Sequence, residues 1–155
     1  MADHRATITW QGRATPADFV KGKYSREHAW AFDGGITVAA SSSPSVVPAP
    51  WSNAGFVDPE EAYVASIASC HMLSFLYVAA KAGFAVASYR DEAIGVMTKN
   101  ERGVPWVSKV TLAPVIALGG DKQPTAAELA ALHHAAHDAC FIANSVKTEI
   151  LIATS

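Results

Sequence analysis

A chain of 155 residues, half of them hydrophobic and 17% charged, is long enough for one domain with a sizeable core and too apolar to be disordered. Its net charge of −2 offers no basic surplus for nucleic acid or acidic lipid, and two cysteines exclude a disulfide framework of the secreted kind. The opening MADHRATITW lacks the basic, apolar and small-residue order of a signal peptide, so a cytoplasmic protein with reduced thiols is expected.

In chain order, RATITW (5–10) alternates and predicts a strand. HAWAF (28–32) and ITVAA (36–40) predict two strands about a Gly-containing turn. SSSPSVVPAPWSNAGFV (41–57) is a Pro/Ser-rich loop, long enough to carry function. DPEE then starts a helix, with Asp58 as N-cap, Pro59 at the first helical position and Glu61 returning to the cap. Lys81 and Gly83 mark its end, so a helix from about Pro59 to Ala82 is predicted.

Residues 62–80 carry no formal charge apart from any proton on His71. That length approaches the ~20 apolar residues a bilayer requires. Ser66, Ser69, Cys70, His71, Ser74 and Tyr77 interrupt it, which suits a helix enclosed on most sides by protein, a second chain included, rather than by lipid. Further on, ASYRDEAIGVMTKN (87–100) and WVSKVTLAPVIAL (106–118) predict a hairpin around NERG. GGDKQPT (119–125) is a linker ending in Thr125, a good N-cap for a second helix over 126–140, and SVKTEILIAT (145–154) predicts a last strand. With no repeat and no boundary, the expectation is a single α+β domain over residues 1–155.

Three constellations carry possible chemistry. Cys70 lies mid-helix and Cys140 ends the second helix. A reactive thiol needs a nearby cation, and Arg26, Arg13 and His71 are the candidates. His71 is turned about 100° from Cys70 around the helix, so an arginine is the better partner and a core role suits His71. Second, His133 and His137 are four apart and His137 and Cys140 three apart; with Cys70 they would make a two-cysteine, two-histidine zinc set without any CxxC pair. Third, capping explains Glu61 but leaves Glu60 free for another role.

DPEEAYVASIASCHMLSFL (58–76), followed by HDACFIANSVKTEI (137–150), resembles the OsmC/Ohr family of osmotically inducible and organic hydroperoxide resistance proteins. The resemblance rests on an acidic helix start, a cysteine ten residues after Glu60, and a second cysteine shortly before NS and a final strand. YSREHAWAFDGG (24–35) resembles the family's arginine loop. His71 stands where an aromatic is common, and CFIANS replaces the commoner cysteine-proline and is one residue longer.

The resemblance implies a thiol-dependent peroxidase of organic hydroperoxides, with no cofactor or metal and a dithiol or lipoyl-type reductant. It implies an OsmC-like fold of antiparallel sheets wrapped around central helices in an intertwined homodimer. Carried over, Cys70 matches the peroxidatic cysteine, Cys140 the resolving one, Glu60 the glutamate that fixes an arginine, and Arg26, ahead of Arg13, that arginine. Trp51, Phe56, Phe75 and Phe141 are candidates for an apolar substrate wall. Ten helical residues separate Glu60 from Cys70 by about 15 Å, so the expected site is composite, with Glu60 and Arg26 supplied by the other chain. The alternative is a non-catalytic or zinc-binding dimer using Cys70, His137 and Cys140 structurally.

Overall fold

The longer helices start where the sequence supplies caps. In the computed structural model, which describes residues 2–153, helix α2 runs Pro59–Lys81. The Glu61 N–H donates to Asp58 Oδ1 at 2.7 Å and the Asp58 N–H to Glu61 Oε2 at 3.1 Å, the reciprocal box expected from DPEE. Gly83, at φ +78°, ends it, with the Phe84 N–H bonded to the Ala79 carbonyl at 2.9 Å. Thr125 and Glu128 form a second box that starts helix α3, Ala126–Ala139. A short helix α1, Pro16–Val20, was not expected; Thr15 caps it, Pro16 opens it and Asp18 sits in its first turn.

The chain divides into two compact units, Met1–Ala62 and Tyr63–Ser155. The first holds strands β1 (Ala6–Thr9), β2 (His28–Phe32) and β3 (Thr37–Ala40), an antiparallel meander in sequence order, together with α1. The loop over 41–57 returns to β3 through a parallel bridge between Ala40 and Val57.

The second unit holds most of α2, then β4 (Ala85–Asp91), β5 (Ile94–Lys99), β6 (Pro105–Leu112), β7 (Pro114–Gly119), α3 and β8 (Glu149–Ile152). The expected hairpin around NERG forms, but each arm breaks once. β5 pairs β6 and β4 pairs β7, so residues 92–93 and 113 are corners at which the ribbon changes sheets. Pro114 has no N–H for a ladder, and Asp91 Oδ1 takes the Ala113 N–H at 2.7 Å where the ladder stops. β8 joins β6 in parallel, the exception to the expected antiparallel sheets, because the long connection through α3 returns the chain in the same direction. Thr154, the expected end of that strand, lies with Met1 and Ser155 outside the described residues.

α2 is long and apolar enough to cross a membrane, at a mean hydropathy of 1.5. It is instead the core helix of the second unit. Phe75 and Ala79 pack with Phe84, Leu132 and Ala136, while Ile67 packs with Val110 and Leu112. Full burial of Phe75 and Ile67 contributes about 2 kcal/mol each. Gly95 of β5 admits the Val64 side chain so closely that a Cβ would stand 2.5 Å from it. The expected enclosure on most sides is narrower within one chain. Only the stripe Ile67, His71, Phe75 and Ala79 is buried, and Leu73 and Tyr77 remain 61% exposed.

Candidate active site

Both cysteines lie in the second unit and both are free thiols. α2 presents Cys70 half-buried, and the turn after α3 brings Cys140, 1% exposed, beside it. Burial pushes the Cys140 thiol above its ordinary pKa, and the neighbouring Cys70 adds to the rise.

The NS of CFIANS builds this turn. Asn144 Nδ2 donates to the Asp138 and Cys140 carbonyls, both at 2.9 Å, which satisfies acceptors that the end of α3 leaves open. Ser145 Oγ donates to the Phe141 carbonyl at 2.7 Å. Held in this way, the turn points the Ile142 N–H at Cys70 Sγ and the Ala143 N–H at Cys140 Sγ, each at 3.4 Å. A donor aimed at a sulfur stabilises negative charge there. Thr148 anchors the chain just before β8: its hydroxyl donates to the Val107 carbonyl at 2.7 Å and accepts from Tyr63 of α2.

His71 is not a partner of the thiol. Its ring is 1% exposed and stacks on His133 of α3, with centroids 5.5 Å apart and planes 9° from parallel. His71 Nε2 and His133 Nδ1 share one hydrogen bond at 3.2 Å, so one ring donates and the other accepts, while His71 Nδ1 has no partner. Burial, then His133 and His137, lower the His71 pKa from 6.5 to about 4; burial lowers that of His133 against the opposing pull of Asp91. Both folded pKa values lie below the unfolded one, so the unfolded chain binds protons first. Stability should be complete above about pH 6.5 and fall between there and about pH 4, by about 3 kcal/mol for His71. Urea unfolding across that window tests this: His71→Leu should flatten the slope, and an unchanged slope would contradict it.

The histidine and cysteine spacing that suggested zinc does not assemble a site. Among the described residues no group of three His, Cys, Asp or Glu side chains is placed to hold a metal ion. Cys70, His137 and Cys140 therefore do not form the set that the spacing allowed.

The first unit brings Arg26 and Glu60 to one cavity of about 380 Å³. Arg26 Nη1 donates to the Gly22 carbonyl at 2.8 Å and to the Tyr24 carbonyl, and the guanidinium lies 3.6 Å over the Tyr24 ring. Loop carbonyls, rather than the expected Glu60, thus hold Arg26, and among the described residues no ion pair joins the two. Arg13 lines a neighbouring cavity instead.

The aromatic wall of the Arg26 cavity is Trp10, Phe19 and Tyr24, a cluster in which Phe19 and Tyr24 stack at 4.4 Å. None of the three was among the sequence candidates. Of those candidates, Phe75 is core, Phe141 is 83% exposed, and Trp51 lines the neighbouring cavity. The available signal was TPAD, a capped helix start that carries Phe19 into the wall.

A helical cysteine in contact with a second cysteine, on an α+β frame of this connectivity, defines a class of protein. The family profile described as OsmC-like protein matches residues 52–155, and the chain belongs to that family. An OsmC-like protein of unknown function from Vibrio cholerae is 48% identical, with 99% of each chain covered and a TM-score of 0.93. An organic hydroperoxide resistance protein from Elizabethkingia anophelis shares the fold at 19% identity, 98% and 93% coverage and a TM-score of 0.72. The organic hydroperoxide resistance protein OsmC of Legionella pneumophila does so at 15% identity, 100% and 98% coverage and a TM-score of 0.68. No curated protein is significantly similar in sequence.

Proposed function

We propose that the chain is a cytoplasmic, thiol-dependent peroxidase that reduces organic hydroperoxides and works as an intertwined homodimer with a single OsmC-like domain per chain. The observation that carries this reading is the contact between a half-buried Cys70, served by the Ile142 N–H, and a buried Cys140 whose pKa is raised. The Cys70 thiolate attacks the outer peroxide oxygen, the O–O bond breaks, and the alkoxide leaves and takes a proton. Cys70 becomes a sulfenic acid. Cys140 sulfur then displaces hydroxide from it, forming a disulfide and releasing water. A dithiol, of lipoyl type in the family resemblance, returns both thiols and is itself oxidised.

Arg26 stabilises the departing alkoxide electrostatically, and the wall of Trp10, Phe19 and Tyr24 favours an organic over a bare peroxide. Glu60 and Cys70 lie about 15 Å apart along one helix. The Arg26 and Glu60 cavity is formed by the first unit alone. The reading therefore takes Arg26 and Glu60 from the partner chain, docked along the exposed Leu73 and Tyr77 of α2.

Mass spectrometry after one equivalent of cumene hydroperoxide tests the chemistry. Wild type should lose both thiols to one intramolecular disulfide, and Cys140→Ser should carry a dimedone-reactive sulfenic acid on Cys70. Both thiols intact after peroxide would remove the peroxidase reading.

A further inference from the structure

With Arg26 drawn from the partner chain, what the second unit itself offers Cys70 is a backbone amide. Ile142 donates to Cys70 Sγ and its neighbour Ala143 to Cys140 Sγ. Two successive amides thus serve the two sulfurs, and their aim depends on how the chain leaves α3. Packing of the residue in between does not set that aim, because Phe141 is 83% exposed.

Asn144 supplies what packing does not. The last carbonyls of a helix lack intrahelical partners, and Asn144 Nδ2 donates to two of them, those of Asp138 and Cys140. The Cys140 carbonyl also accepts the Asn144 backbone N–H at 3.1 Å, so both of its lone pairs are used. That fixes the peptide plane after Cys140. The Ser145 N–H then bonds the Ile142 carbonyl at 2.9 Å, which fixes the next plane but one and with it the Ala143 N–H. Among the described residues Asn144 bonds neither sulfur; its amide reaches them through these peptide planes.

We propose that Asn144 is a positioning residue of the reaction, whose side-chain amide holds the Ile142 N–H on the Cys70 thiolate and keeps Cys140 within reach for disulfide closure. A fixed N–H dipole aimed at a sulfur favours its charged form, whereas a donor on a loose turn does so for only a fraction of the time. The inference rests on the peroxidase reading only for what the thiolate attacks.

Alkylation tests the first half without any peroxide. Asn144 is exposed, so Asn144→Ala should fold, which urea unfolding verifies. Asn144→Ser, whose hydroxyl is too short to span both carbonyls, takes its place if it does not. The rate at which iodoacetamide modifies Cys70, followed by peptide mass spectrometry from about pH 5 to about pH 10, reads the thiolate. The variant's profile should lie about half a pH unit above that of wild type, about a threefold loss of rate on the acid side, with the alkaline plateau equal or higher. A side chain that merely braces the fold would raise the plateau by opening access and leave the profile in place. A profile that does not move overturns the positioning role.

Diamide, whose N=N bond takes up the two thiol hydrogens, reads the second half. Closure of the Cys70–Cys140 disulfide should slow by more than alkylation does, because Cys140 is also held less well. Closure slowed no further than alkylation overturns the assignment of Cys140 to Asn144. If wild type consumes no hydroperoxide while the variant still moves the alkylation profile, the peroxidase reading fails and the positioning role stands. If hydroperoxide is consumed and the profile does not move, the positioning role alone falls.

Discussion

Cys70→Ser should lower hydroperoxide turnover, measured with a dithiol reductant, by about a thousandfold or more. Serine keeps the shape and accepts the Ile142 N–H, so its melting curve should lie close to that of wild type. What it loses is the thiolate, the only form of the side chain that attacks an O–O bond rapidly near neutral pH. Cys140 cannot substitute, because it is 1% exposed and burial raises its pKa. Activity of the variant within tenfold of wild type would show that the chemistry does not run through this sulfur.

On the proposed homodimer, a second large effect is expected from mixing Cys70→Ser with Glu60→Ala. Cys70→Ser retains Glu60, and Glu60→Ala retains Cys70. If each site takes its cysteine from one chain and its glutamate from the other, a heterodimer has one site lacking both groups and one complete site. It should run at about half the wild-type rate, and an equimolar, randomly exchanged mixture at about a quarter. The physical basis is the length of α2, which holds the two residues about 15 Å apart along one axis. Mixtures that exchange subunits, shown by native mass spectrometry, and yet stay as inactive as their parents would remove the composite site.

Local chemistry made the longer helices legible. Asp58 with Glu61, and Thr125 ahead of α3, bond backbone groups only three residues away, so their effect is written in adjacent letters. The same kind of signal stands at Thr15 and Pro16, but the five residues of α1 are too few to show a helical period. The hairpin around residues 100–103 followed from alternation, whereas its corners did not. They depend on Asp91 reaching Ala113, twenty-two positions away, and on a change of pairing partner that alternation does not record.

The site divides in the same way. Residue type and spacing singled out Cys70, Cys140, Arg26 and Glu60, and the structure brings them together as two pairs, the thiols in one unit and Arg26 with Glu60 in the other. The zinc alternative was a matter of spacing alone, and the placement of the side chains does not support it. The aromatic wall is not legible in the sequence because Trp10, Phe19 and Tyr24 come from a strand end, a short helix and a loop.

By itself the sequence determined the α+β class, the capped ends of α2 and α3, the two thiols and the family, because each follows from neighbouring residues or from a motif with fixed intervals. Only the tertiary structure decided that His71 stacks on His133 rather than serving Cys70, that Asn144 aims two backbone N–H groups at the two sulfurs, and that loop carbonyls hold Arg26. It also decided which face of an evenly apolar helix is buried. With no charged stripe to set one side apart, α2 takes its inward face from the shapes that β6, β8 and α3 present to it.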